Sequence, residues 1–477
     1  MRKSAVFCTF ALVSAAGVAL LLSCGGTSSR SVSNSATINL TVSDPATCSA
    51  PQGAFSHIFV TIVDVKIHTS SSAGDNDPGW VDLTPNLSQN PPQVDLLGQA
   101  NNRCFLAMLG SSIEIQPGSY QQIRVILADG GVTLKSNSCG TMTNCVTLTS
   151  DTTNTPLPLR LSSQAQTGLK IPSGQIAGGK FVVAAGETKD LNIDFIGCKS
   201  IVAQGNGQFR LKPVLHAGEV NLTSSSINGR IVDSTSGQPI TAGNTIVDLE
   251  QKDSTGVDRV IMETRTDGTG AFVFCPVATG SYDVVAISSN GILITYGATI
   301  ITGVQSGSSL GTVPLIAQAG SVMAPASISG QITTSTGSAG SEADISLSVL
   351  QPVLENGATV LVTIPLAAQS SAAASLATAA SASCPASTDC ASYTLSVPAA
   401  NPSLGTFNTS GVQKPGAPAS GTVNYTVDAI AFVPGGSGTL DCSPSELQTS
   451  SDINNTSLVV TAGTSVTAAT LAFIGCQ

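Results

Sequence analysis

The chain has 477 residues, of which 10% are charged and 42% hydrophobic, and its 19 Lys+Arg against 29 Asp+Glu give a net charge of −10. That apolar share excludes a charge-rich disordered polymer, and the dispersed acidic balance excludes nucleic acid and broad contact with anionic lipid head groups. The Glu and Lys that cover surface helices are scarce. Thr, Val and Ile runs broken by Gly, Pro and Asn favour strands and turns, so the expected class is all-β, built as tandem β-sandwich domains.

Arg2 and Lys3 precede an apolar run from Ala5 to Leu22, the charged and apolar parts of a secretory signal. Leu21-Leu22-Ser23-Cys24 resembles a bacterial lipobox, which implies cleavage after residue 23 and a diacylglycerol thioether on Cys24. The rival readings are a plain secretory signal and an uncleaved anchor. The Gly/Ser-rich tether over 24–35 favours the lipid anchor. The acyl chains would then hold the membrane, each buried CH₂ contributing about 0.8 kcal/mol. Gly25 is compatible with transport to the outer membrane, and no second apolar stretch of spanning length follows Leu22. The remaining length suits about three domains.

The first domain is expected over 36–222. Ile38, Leu40 and Val42 share a face at period two, as a half-buried strand requires. From His57 to His68 the expected strand carries Phe59, Thr61, Val63, Val65 and Ile67 on one face. Its other face starts apolar (Ile58, Val60, Ile62) and turns polar (Asp64, Lys66, His68). A Gly/Asp/Asn loop leads to Trp80, the only Trp. After Pro117-Gly118-Ser119-Tyr120, residues Ile123, Val125 and Leu127 should face inward against Gln122 and Arg124. The blocks FVTIVDVKIH, GWVDLTP, VDLLG, PGSYQQIRVIL, AAGETKDLNIDF and KSIVAQGNGQFRLKPVL, in that order, resemble the bacterial domain-of-unknown-function family 4382 over about residues 36–220. Ile196-Gly197-Cys198 departs from the polar, Asp-containing segment more usual there. The resemblance implies an architecture and an envelope setting, but no activity.

The second domain is expected over 226–318, with Ile227, Gly229 and Ile231 inward on its opening strand. Thr266-Asp267-Gly268-Thr269-Gly270-Ala271-Phe272-Val273-Phe274, followed by Val277, Gly280 and Tyr282, resembles the carboxypeptidase regulatory-like domain, which implies a transthyretin-like sandwich. Gly268 and Gly270 suit a turn because glycine takes positive φ without steric cost. Phe272 and Phe274 then share a face. The third domain, 327–477, opens with a similar strand, ISGQIT. Its end, Val459 to Cys476, echoes Val182 to Cys198 and, more weakly, Val304 to Leu315. These segments read as the closing strands of successive sandwiches. The Ala/Ser-rich stretch 367–388 and the Pro/Gly/Ser-rich stretch 401–422 read as surface excursions.

Of twelve cysteines, Cys8 would leave with the signal and Cys24 would be lipidated, as the lipobox resemblance implies, so ten remain for disulfides on the oxidising side of the membrane. Cys139/Cys145 and Cys384/Cys390 each most simply close a short loop, and Cys48/Cys104 and Cys442/Cys476 are plausible pairs within one domain. Cys198 and Cys275 are left over, and their pairing would staple the first domain to the second. Spacing alone does not fix this connectivity.

No catalytic set stands out. His57 and His68, eleven apart on a strand, should face opposite ways, and His216 is the third histidine. Gly307-Ser308-Ser309-Leu310-Gly311 matches G-x-S-x-G but lacks the strand-to-helix context of a nucleophile elbow. Asp75, Asn76 and Asp77, with Asp82 nearby, lack EF-hand spacing and read as an Asx turn. No zinc, thioredoxin or phosphate-loop spacing occurs, so neither metal nor cofactor is expected. The favoured function is a non-catalytic, lipid-anchored envelope protein with a structural or binding role. Its partners would be an extracellular polysaccharide, stacking on Trp80 with Tyr120 and Tyr296 as weaker platforms, or another envelope protein. The alternatives are an accessory subunit of an outer-membrane transport or secretion system and, less favoured, a carboxylate hydrolase built around Asp64.

Overall fold

The computed structural model describes residues 35–43, 55–71, 73–74, 76–97, 107–161, 168–171, 176, 180–195, 197, 200–203, 208–211, 215–220, 226–240, 245–253, 255–275, 277, 279–290, 294–319, 324–355, 357–366, 374–408, 410–412, 415–433 and 442–476. The fold is all-β. Among the described residues a single 3₁₀ turn, Leu87–Gln89, is the only helix.

One plan recurs in three regions. The opening strand Ala36–Ser43 lies between an antiparallel partner, Ala107–Ile115, and a parallel one, Thr188–Phe195. Ile227–Asp233 lies likewise between antiparallel Ala271–Phe274 and parallel Ser309–Leu315. Ala326–Ser335 has antiparallel Asp389–Val397 on one side and parallel Ser465–Thr467 and Leu471–Ile474 on the other. The segments whose sequences echo one another thus include the closing strands, each beside its own opening strand. A turn with glycine at its third position and positive φ precedes each: Gly186 at 74°, Gly307 at 85° and Gly463 at 71°. In each, the next N–H donates to the carbonyl three residues back, namely Glu187 to Ala184, Ser308 to Gln305 and Thr464 to Thr461. This is the type II arrangement, which places its third residue where only glycine sits without strain.

The first region is a sandwich. A four-stranded sheet, which includes Leu215–Val220, packs against a nine-stranded sheet centred on Phe55–His68. Their shared core takes Ile38, Leu40, Ile193 and Phe195 from one side and Ile58, Val60, Ile62, Ile123 and Val125 from the other. Strand Phe55–His68 does not hold one alternation along its length. A register shift between Ile62 and Asp64 moves the buried set from Ile58, Val60 and Ile62 to Val65 and Ile67. An inserted residue of this kind flips every later side chain to the other face. The expected continuous face of Phe59, Thr61, Val63, Val65 and Ile67 is corrected accordingly. His57 and His68 both lie on the face away from Val65 and Ile67, roughly 36 Å apart at strand rise.

The second and third regions share one eleven-stranded sheet. Strands Ile294–Gln305, Ser281–Asn290, Ile246–Lys252 and Asp258–Arg265 run into Ala358–Thr363, Asp344–Glu355, Thr426–Phe432 and Glu446–Thr449. The join is parallel, through the ladder pair Asp258↔Val362, and Thr363 Oγ1 donates to the Asp258 carbonyl at 2.6 Å. One face of the second region's strands, with Val247, Leu249, Val284 and Ile301, packs with Phe272, Phe274 and Val313. The opposite face contributes Ile246, Val285, Ile287 and Ile300 to the third region's core. Residues 401–422 are not simply a surface excursion: Ser403–Asn408 pairs parallel with Ile294–Gln305, extending the second region's edge. In the other expected excursion, Ser375–Ala377 pairs with Asp344–Glu355, and Ala374 is buried in the core.

Disulfides join Cys139 to Cys145, Cys384 to Cys390 and Cys442 to Cys476, three of the expected pairs. Cys275 is disulfide-bonded as well. The expectations for Cys24, Cys48, Cys104 and Cys198 lie outside the described residues.

Candidate functional site

The expected aromatic platforms are occupied by the protein itself. Tyr120 is buried and donates its hydroxyl to the Gln116 carbonyl at 2.7 Å. Tyr296 is buried and donates to Asp233 Oδ2 at 3.0 Å. Neither offers a ring face to a ligand, which corrects both as stacking residues. Trp80 is half-buried, with the Arg124 guanidinium 4.3 Å from its ring centroid and the His68 ring at 5.1 Å. Arg124, expected on the wet face, is buried and also donates to the Ala73 carbonyl. The indole Nε1 donates to the Gly74 carbonyl.

The histidines have local partners too. His57 Nδ1 lies 2.7 Å from Asp95 Oδ2, and Asp95 Oδ1 accepts from the N–H groups of Ile58 and Leu97, which makes it a backbone anchor. His68 is buried rather than solvated. Its Nδ1 accepts from the Ser70 N–H, so Nε2 carries the proton and donates to the Pro78 carbonyl. His216 stands across the ladder from Asp194. Asp64 accepts from Thr84 Oγ1 and pairs with Lys66 at 3.2 Å. Burial, then the adjacent Asp82 carboxyl, raises its pKa against the pull of Thr84 and Lys66. In the Asp/Asn loop, Asp77 accepts from the Gly74 N–H, and Asp75 lies outside the described residues. After Gly307 the chain enters strand Ser309–Leu315 rather than a helix, and Ser309 Oγ donates to Asn228.

A polar cluster absent from the sequence expectations sits at the join of the long sheet. Asp258 and Asp283 come from the second region and Glu355 from the third; all three are buried, and one carboxylate oxygen from each lies within 4.8 Å of the others. They meet because antiparallel pairing puts Lys252 opposite Asp258 and Glu250 opposite Asp283, while the join brings up the strand ending at Glu355. The Lys252 ammonium reaches Glu355 Oε2 at 2.8 Å and Asp283 Oδ2 at 3.5 Å from a half-exposed position. Asp283 Oδ1 also accepts from the Gly303 N–H. Both Asp258 oxygens and Glu355 Oε1 are buried without a hydrogen-bond donor. Burial, then the Asp283 carboxyl, pushes Asp258 up to about 8. Burial pulls Lys252 down, but Glu355, Asp283 and Asp258 outweigh it and hold the ammonium above its usual range. Side chains alternate along a strand, so the next residue, Arg259, faces the other way. It pairs with Asp253 at 3.1 Å and reaches into the third region to Asp428 at 2.7 Å and Glu446 at 2.5 Å.

No curated protein matches the sequence. Among solved structures, the Bacillus anthracis TIE protein is 10% identical, with 92% of this chain and 50% of that one covered and a TM-score of 0.16. This chain thus spans about half the length of that protein. The shaft pilin SpaA of Lactobacillus rhamnosus GG is 10% identical over 60% of this chain and 98% of its own, with a TM-score of 0.17. The minor pilin of Streptococcus agalactiae is 10% identical over 53% and 96%, with a TM-score of 0.14. Residues 35–213, the opening sandwich, match the family described as Domain of unknown function (DUF4382).

Proposed function

We propose that this is a non-catalytic, lipid-anchored envelope protein whose role is structural, with binding to an envelope partner as its extension. The observation that carries the reading is the eleven-stranded sheet that runs without interruption through two sequence regions. The first region is tied to the same body by Arg210, which pairs with Glu342 at 3.0 Å and with Asp344. Such construction suits a spacer or scaffold better than a hinged enzyme, whose domains close over substrate. Cys24, in its lipobox-like setting, supplies the membrane end. A polysaccharide ligand is the weaker version of the reading, because Arg124 and His68 pack against Trp80 and Tyr120 and Tyr296 are buried.

The test begins with Cys24→Ser. The variant should lose incorporation of labelled fatty acid and leave the membrane fraction, while the native protein keeps both. Retention of the variant in membranes would remove the lipid anchor from the reading. Protease shaving of intact against lysed cells then assigns the face. A glycan array at background level leaves the structural role standing, whereas a saturable glycan signal would replace it with the binding one.

A further inference from the structure

We propose that Asp258, Asp283 and Glu355 form a site for a hard divalent cation of the calcium kind, which ties the second region's strands to the third's. Three facts support it. First, one oxygen from each carboxylate lies within 4.8 Å of the others. That is no more than the span of two oxygens across a calcium ion, about 5 Å for ligand distances of 2.3–2.6 Å. Second, Asp258 is fully buried and neither of its oxygens meets a donor; Glu355 Oε1 is in the same state. A buried carboxylate lacking hydrogen-bond partners is costly unless a cation or proton compensates it. All-oxygen donor sets of this kind suit hard cations, not the soft metals that thiolates select. Third, the donors come from both sides of the join, where the ladder pair Asp258↔Val362 connects the two halves of the sheet. An ion there would add to the ladder pair and the Lys252–Glu355 contact a further connection at the same level.

Lys252 is the internal competitor. Its ammonium takes Glu355 Oε2 and approaches Asp283 Oδ2, yet its side chain is 43% exposed and can swing out when an ion enters. Removing that charge should therefore strengthen binding, whereas removing a carboxylate should weaken it. A diffuse acidic surface would also weaken with a lost carboxylate, so the Lys252 response has to be read together with the position of the loss.

The experiment is calorimetric titration of the purified full chain with CaCl₂ after treatment with a chelator. One saturable site per chain is expected, with a dissociation constant of about 10⁻⁴–10⁻³ M, the range of extracellular calcium modules. Asp258→Asn and Glu355→Gln should each weaken it by about tenfold or more, since charge count tunes such sites. Lys252→Gln, which keeps all three carboxylates, should tighten it, and Asp77→Ala, in a first-region loop outside the cluster, should leave it unchanged. No saturable heat up to about 10 mM, ten times the top of that range, would overturn the site. So would an affinity left unchanged by Asp258→Asn, or one weakened by Asp77→Ala. Should the carboxylate variants fail to fold by circular dichroism, Lys252→Gln decides: unchanged or weaker affinity rejects the proposal.

Discussion

Between the opening strand and the parallel closing strand of the first region runs a ladder of small polar side chains. Asn39 donates to Asp190 at 2.8 Å, Thr41 to Asn192 at 2.9 Å and Ser43 to Asp194 at 2.8 Å, while Asn192 donates back to Ser43 at 2.7 Å. In-register pairing puts each partner at the same level, so short side chains suffice. Asp194 ends the ladder fully enclosed, and burial raises its pKa well above 3.8 against the pull of the Ser43 hydroxyl. The folded protein therefore keeps a proton that the unfolded chain releases. The resulting stability is complete below about pH 3.8 and drains as pH rises toward the folded value. Asp194→Asn keeps the shape without the ionisation. Urea midpoints measured from about pH 4 to pH 9 should fall less steeply in this variant than in the native protein. An unchanged slope would place the titration elsewhere.

At the level of elements, two opening strands share one device. Gly229 stands opposite Phe272 and Gly330 opposite Tyr393, so each ring lies over a bare backbone. A Cβ on Gly229 would come within 2.8 Å of the Phe272 ring, and one on Gly330 would overlap Tyr393. Alanine at either site should destabilise by about 1–3 kcal/mol, the usual cost of overpacking, seen as a lower urea midpoint with unchanged m. The opening strands themselves were legible in INGRI and ISGQI, because the glycine spacing and the apolar alternation are local. The rings that cover their glycines come from partner strands and were not. The closing strands were legible as well, since their AGE, SGS and AGT turns need glycine at a fixed place. The bulge at Ile62–Asp64 was not read, because the switch from Ile58, Val60 and Ile62 to Val65 and Ile67 looks, in an unbroken strand, like one face turning from apolar to polar. The carboxylate cluster was hidden for another reason. Its members sit on three strands far apart in the chain, and only the pairing order brings them together. Arg124 reads as a surface residue until the loop carrying Ala73 and Trp80 folds over it.

For the molecule as a whole, charges as well as strands connect the regions. Arg210 of the first region, with a side chain only 10% exposed, faces Asp344 of the third at 5%. Replacing it with Met would strand a buried carboxylate, at a cost of about 3–5 kcal/mol. A lowered calorimetric midpoint is expected, and most of the loss should return in Arg210→Met/Asp344→Leu, where neither charge remains. If the double variant is no better than the single one, the pair is not acting as a unit. Arg259 plays the corresponding part between the second and third regions, through Asp428 and Glu446.

The recurrent placement of each closing strand parallel to its opening strand has a mechanical consequence. Tension entering a region at the start of its first strand and leaving at the end of its last would slide those neighbours past each other along their length. The ladder bonds lie across that motion, evenly spaced, so they resist together instead of parting one at a time like a zip. Regions loaded in shear in this way would let the chain carry a pull along its length.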